Sequence, residues 1–325
     1  MSTIALFGST GQIGSAILSA LLDARFDVLQ LLSPGSESRA RPEGTNLTSK
    51  TVDLATVSRA ELASVLSGVH AVVSALNGKA LEAQVFIQDA AWDAGVKRFY
   101  PSEFGMHHIY RPPGDLYGYV HPVWNIKAQH NEKCTQHPSV LSGQMTYTII
   151  GCGDFYNQPR EKTWCPWAQT QPGTGTADNK YRIPVLGNAN ALIDFTNVDD
   201  MAAFLVQTLL RPETAQNKTL NFVSDCLSFS AIAGLLQKYS RREVDLHTMP
   251  LETVHRVIKD PANVPRELGY APEENKSAMP VDFWFLVRAV QGEGRFRRAP
   301  GVVSNALFPG VKVTTVEEYL RGLFG

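Results

Sequence analysis

Seven residues near the amino end, Gly8-Ser9-Thr10-Gly11-Gln12-Ile13-Gly14, constrain this chain more than any others. The apolar run Ile4 to Phe7 precedes them, and Ile13, Ile17, Leu18, Leu21 and Leu22 follow at helical spacing. The order is therefore strand, glycine turn, helix. Gly8 permits the turn, Gly11 lets a ligand approach the backbone, and Gly14 lets the helix pack on the sheet. Such a turn aims backbone N–H groups and a helix N-terminus at a diphosphate. Glycines at helix entries also serve plain packing; the flanking strand and helix are what favour a dinucleotide here.

The alternation continues. Strands are expected at Asp27 to Leu32, around Lys50 to Leu54, at Ala71 to Leu76, Lys97 to Pro101 and Thr146 to Ile150. Helices are expected near Arg59 to Leu66, over Ala80 to Ala94 (ended by Gly95), and around Lys127. The expected fold class is α/β, a Rossmann-type doubly wound parallel sheet with a smaller, mixed C-terminal substrate-binding region. The first domain is placed at 1–150 and the second region at 151–325, with some late segments returning to the first domain. Pro159, Pro166, Pro172, Gly173 and Gly175 open the second region irregularly. Helices follow at Asp199 to Leu210, Phe229 to Tyr239, around Val281 to Val290, and after Thr315.

The end of the second strand selects between nicotinamide cofactors, because an acid there binds ribose hydroxyls and repels a 2′-phosphate. No acid stands in Leu31-Leu32-Ser33-Pro34-Gly35-Ser36, whereas Ser33 offers a hydroxyl and Arg39 and Arg41 follow. Guanidinium groups match phosphate geometry, which favours NADPH (NADP+) over NADH; both arginines also read as solvated loop residues.

A net charge of -1 and a pI near 6.7 imply neither nucleic acid nor a membrane surface as partner. The four cysteines, Cys134, Cys152, Cys165 and Cys226, are scattered and expected to be reduced. The amino end lacks a secretory pattern, and no apolar stretch would span a bilayer, so a cytoplasmic protein is expected. The sequons at Asn46, Asn217 and Asn275 are then chance matches. His107, His108 and His121 show no ligand spacing, and no metal is expected.

The stretch Gln84 to Gly105, with Ala94-Gly95-Val96-Lys97-Arg98-Phe99 and Pro101-Ser102-Glu103-Phe104-Gly105, closely resembles the isoflavone reductase-like and NmrA-like family. Gly8 to Gly14 and Thr314-Thr315-Val316-Glu317-Glu318-Tyr319-Leu320 extend the resemblance over nearly the whole chain. Membership implies an atypical short-chain dehydrogenase fold, in which the G-x-x-G-x-x-G spacing also occurs, an NADPH site, and commonly the reduction of aromatic natural products. It also implies that Ala75, Leu76, Asn77, Gln84 and Ser102 line the cofactor beside Gly8, Ser9, Thr10, Gly11, Gln12, Ile13, Gly14, Ser33 and Arg39. Phe155, in Gly151-Cys152-Gly153-Asp154-Phe155-Tyr156, falls where the family presents an aromatic to the nicotinamide.

In the reductase branch a lysine follows the Pro-Ser-Glu-Phe-Gly segment on a helix facing the nicotinamide. Lys127, in Trp124-Asn125-Ile126-Lys127-Ala128, matches it and is the expected catalytic residue as well as a cofactor contact. An ordinary short-chain dehydrogenase carries tyrosine four residues earlier; here position 123 is valine, and no tyrosine in the chain stands four residues before a lysine. Lys127 would act as general acid or as a cation stabilising an oxyanion. His130, on nearly the same helix face, is a possible second proton carrier, with a structural role favoured. Where the branch usually has arginine or lysine shortly after its lysine, this chain has Gln129, His130 and Asn131.

Trp164, Trp167, Phe283, Trp284 and Phe285 suit either a pocket for a bulky, partly aromatic ligand or ordinary packing. The expected activity is NADPH-dependent reduction of an aromatic or polyketide-like small molecule at a C=O, C=C, C=N or benzylic ether bond, by a monomer or homodimer. A redox-sensing regulator without turnover, and a non-redox enzyme on the same fold, are the alternatives.

Overall fold

Strands β1 (Thr3–Phe7), β2 (Asp27–Leu32), β3 (Leu47–Thr51), β4 (Ala71–Ser74), β5 (Arg98–Tyr100) and β6 (Thr146–Cys152) alternate with helices α1 (Gln12–Asp23), α2 (Arg59–Val65), α3 (Gln84–Asp93) and α4 (Pro122–Thr135) in a computed structural model. It describes residues 2–37, 46–106, 122–172, 179–268, 270, 279–299 and 301–325. With Lys218–Phe222 at one edge, the strands form a seven-stranded sheet in which β6, β5, β4, β1, β2 and β3 follow in that order. Each of these neighbours pairs in parallel. The order reverses between β1 and β4, the switch point at which doubly wound sheets bind ligands beyond the strands' carboxyl ends.

The local reasons are plain in the residues. β1 and β4 are apolar along nearly their whole length and almost wholly buried, as strands covered on both faces must be. Ser58 and Glu61 close a capping box at the start of α2. Beneath α2 and α3, Ala5, Phe7, Val72, Leu62, Ile87 and Phe99 share one apolar core.

Strand ends shift by one to two residues at β4, β5 and β6, and two elements differ further from expectation. β3 lies at Leu47–Thr51 rather than around Lys50 to Leu54. It is an exposed edge strand of polar residues, and the apolar Val52 and Leu54 that suggested the later position follow it into the core cluster. The single helix expected over Ala80 to Ala94 is instead a 3-10 segment, Gly78–Ala83, followed by α3.

The chain divides into two compact units, Met1–Gly151 with Met201–Phe222 and Ser304–Val311, and Cys152–Asp200 with Val223–Val303 and Lys312–Gly325. The second unit holds a three-stranded sheet in the order Asp225–Leu227, Ile193–Thr196, Asp154–Phe155, and a parallel pair, Tyr181–Leu186 with Val244–Met249. These short strands carry too little periodicity to be read beforehand. Its helices are Phe229–Ser240, Glu252–Lys259, Val281–Gly292 and Val316–Phe324, the last opened by a Thr315–Glu318 capping box.

The aromatic residues of the second unit are core. Trp164, Trp167, Phe283, Trp284 and Phe285 are all buried, and Trp164 stacks on Trp284 at 5.7 Å. Arg288 is buried beside Trp164, Trp167 and Phe229; its guanidinium lies over Phe229 and Trp167 at 4.4 and 5.5 Å and donates to the Trp164 carbonyl and to Gln291. Burial raises the Asp154 carboxyl above its ordinary range, and the Arg288 charge opposes that shift.

Candidate active site

The glycine turn stands at the carboxyl end of β1. Gly8 has φ +76°, and a Cβ there would overlap the carbonyl of Ala75, which follows β4. A Cβ on Gly14 would overlap Gly8 O in the same way, so both glycines are fixed by the protein's own packing. Gly11 differs: its backbone is ordinary (φ -71°), and a Cβ would meet nothing closer than Gly8 O at 3.4 Å. The protein leaves that position open, and Thr10 and Gly11 are exposed. Gly11 is also the N-cap of α1, which has neither a side-chain cap nor an acid in its first turn. The positive end of a twelve-residue helix thus meets an exposed glycine backbone open to an anion. Gln12 and Ile13 are half-buried in the first turn.

Ser9 is buried, and its hydroxyl accepts from Gln30 Nε2 at 2.8 Å. The other end of Gln30 accepts from Ser49 Oγ at 2.9 Å. A polar stitch therefore runs from the turn through β2 to β3. Sequence reasoning missed Gln30; its signal is an amide among the apolar neighbours Leu29 and Leu31 of a fully buried stretch.

Because β1, β2, β4, β5 and β6 are mutually parallel, the segments that follow them share one edge. Ser33, beyond β2, is exposed, and its hydroxyl bonds Ser36 Oγ at 2.8 Å. Arg39 and Arg41 lie outside the described residues, as do His107, His108 and His121. Beyond β4, Asn77 caps the 3-10 segment without a side-chain cap bond. The Leu76 carbonyl accepts from Ser102 Oγ at 2.7 Å, and Ser102 N donates to Gln84 Oε1 at 2.6 Å. Leu76, Gln84 and Ser102 are thereby joined. The buried Gln84 Nε2 has no hydrogen-bond partner among the described residues, and an unmet donor at a sheet's carboxyl edge fits a polar ligand.

Lys127 projects from α4 to the same edge. The residue is 5% exposed, and Nζ donates to the backbone carbonyl of Glu103 at 2.9 Å. One helical turn later, Asn131 Nδ2 donates to Glu103 Oε2 at 2.6 Å. Trp124 is buried on this helix, with Val123 and Ile126 half-buried. His130 is buried too, with Nδ1 unpartnered among the described residues; burial lowers its pKa, helped by the Lys133 charge and opposed by Glu82. Phe155 belongs to the second unit, buried, with its carbonyl accepting from Gln158 at 2.7 Å. Among the described residues no group of three or more His, Cys, Asp or Glu could hold a metal, and no helix is long and apolar enough to cross a membrane. The four cysteines are free thiols.

The NmrA-like family model matches residues 1–320. The chain belongs to the NmrA-like family. This NmrA-like protein is 27% identical over 335 residues to phenylcoumaran benzylic ether reductase PT1 of Pinus taeda, covering 98% of this chain and 97% of that one. Among solved structures, an isoflavone reductase shares the fold with a TM-score of 0.71 at 21% identity over 99% of both chains. The binary complex of leucoanthocyanidin reductase with NADPH from Vitis vinifera does so with a TM-score of 0.71 at 18% identity, again over 99% of both. The carboxyl-edge residues assembled above thus sit in a Rossmann-type sheet of the isoflavone reductase kind.

Proposed function

We propose that this NmrA-like protein is an NADPH-dependent reductase of an aromatic small molecule, with Lys127 as the general acid or anion-stabilising cation. The observation that carries the reading is a lysine ammonium buried at the carboxyl edge of the sheet whose first turn is the open glycine cradle. Gly8 to Gly14, with Ser9 held by Gln30, would hold the diphosphate; Ser33 and Arg39 would face the 2′-phosphate. Ala75, Leu76, Asn77, Gln84 and Ser102 would line the nicotinamide half, where the unmet Gln84 donor suits a carboxamide or ribose oxygen. Phe155 is assigned to the ring's surroundings by family resemblance alone. NADPH, when bound, supplies hydride.

Lys127 supplies what the cofactor lacks. An ammonium kept out of bulk water stabilises developing negative charge on a substrate oxygen more strongly than it would in solvent, and it can give up a proton there. The named relatives support an aromatic substrate: one is a reductase of a benzylic ether and another of an isoflavone.

The test is to titrate NADPH and NADH, then follow NADPH absorbance with phenylcoumaran, isoflavone and flavan-diol substrates. Binding that prefers NADPH, and oxidation that depends on one of these substrates and is lost in Lys127→Ala, is expected. Product formed without NADPH oxidation would overturn reductase chemistry, and undiminished turnover by Lys127→Ala would remove the lysine's role.

A further inference from the structure

We propose that Asn131 and Glu103 are positioning residues that fix the place of the Lys127 ammonium, an inference that rests on the reading of Lys127 as the acid of this site. Lys127 and Asn131 stand four residues apart on α4 and so on one face, a turn apart, and both are buried. They grip the same residue at two points. Nζ of Lys127 takes the main-chain carbonyl of Glu103 at 2.9 Å, and Nδ2 of Asn131 takes its carboxylate at 2.6 Å.

Glu103 itself is fixed on both sides. Its N–H donates to Pro101 O at 2.9 Å. The next residue, Phe104, is held at φ +41°, a conformation that a side-chain-bearing residue adopts only when its surroundings impose it. The Phe104 N–H donates to Ile150 O at 3.0 Å, and Gly105 pairs with Gly151 in an isolated parallel bridge. The carbonyl that Lys127 uses is therefore a constrained acceptor at the end of β5. A lysine has four side-chain torsions to order, so an acceptor that does not wander narrows where its charge can be.

Asn131 completes the constraint from the other side. Glu103 is fully buried, and a buried carboxylate needs donors to remain in place. The other end of the Asn131 amide, Oδ1, has no hydrogen-bond partner among the described residues, so there the carboxylate is the group that orients the amide. A short neutral side chain at this position does one thing that a cation would not: it holds Glu103 without adding a second positive charge beside Lys127.

The test reads Lys127 directly and needs no substrate. Competitive acylation by trace acetic anhydride, followed by mass spectrometry, gives Lys127 reactivity relative to Lys312, whose side chain is 90% exposed. Cys134, buried on the same helix, reports through its thiol reactivity whether α4 itself has loosened. In Asn131→Ala and Glu103→Ala, which remove the Asn131–Glu103 bond but keep the Glu103 carbonyl, Lys127 labelling should rise about fivefold, the factor corresponding to that one lost hydrogen bond, while Cys134 stays protected. Glu103→Gln, whose amide oxygen still accepts from Asn131, should label like the parent. Unchanged Lys127 labelling in Asn131→Ala overturns the proposal, and so does a parallel rise at Cys134, which would mean simple loosening of the helix. If Glu103→Ala does not fold, Asn131→Ala decides alone. Turnover by Lys127→Ala is a separate measurement: activity there would end the lysine's catalytic role and leave the labelling result standing.

Discussion

The three glycines of the turn are predicted to fail in different ways when each receives a methyl group. At Gly14 the new Cβ would overlap the Gly8 carbonyl, and at Gly8 it would overlap Ala75 O in a backbone at φ +76°. Neither neighbour is a flexible side-chain tip, so the turn must shift; losses of about 4 kcal/mol belong to this class of backbone conflict. For a unit of this size that is a fall in Tm on the order of 10 °C. At Gly11 the Cβ has 3.4 Å of clearance and an ordinary φ. The entropy gained by removing a glycine roughly offsets the weaker N-cap, leaving stability within about 1 kcal/mol of the parent. The methyl would occupy the place where the diphosphate approaches, and loss of even one charge-assisted hydrogen bond of about 2 kcal/mol raises the NADPH Kd roughly thirtyfold. Differential scanning fluorimetry and NADPH titration of the three alanine variants separate these effects. A folded Gly11→Ala that binds NADPH as tightly as the parent would refute the assignment of that opening to a diphosphate.

Three further outcomes follow from buried polar groups. Gln30→Met removes the stitch to Ser9 and Ser49 and should raise the NADPH Kd about fivefold, while adenosine 2′-monophosphate, which carries no phosphate at its 5′ position, binds as before in the same titration. Burial depresses the His130 pKa, so the unfolded chain takes up the proton first as pH falls. Stability is full above the ordinary histidine pKa of about 6.5 and declines below it, toward the lower folded value. Thermal melts between pH 8 and 5 should show a shallower decline in His130→Asn. Arg288→Leu strands the buried Asp154 carboxylate and should cost roughly 3–5 kcal/mol in urea unfolding, recovered in part by adding Asp154→Asn.

The glycine turn, the alternation of the first half and the helix carrying Lys127 were legible because each has a local signature: spaced glycines, apolar periodicity and a flanking strand. β3 was misplaced because an exposed edge strand such as Leu47–Thr51 shows no apolar alternation. The partners that hold the site were less legible. Gln30 acts across strands on Ser9, and Glu103 meets Asn131 at a sequence separation of 28; neither contact leaves a trace in spacing. The aromatic cluster of the second region was legible as aromatic, and the burial of Arg288 beside it depends on chain packing that composition does not encode.

Hydride transfer dependent on Lys127 is tested most directly with NADPH deuterated at C4 and a phenylcoumaran or isoflavone substrate, with mass spectrometry of the product. The parent should deliver one deuterium to the product, and Lys127→Ala, with NADPH still bound, should not. A product free of deuterium, or equal transfer by the variant, would contradict the account.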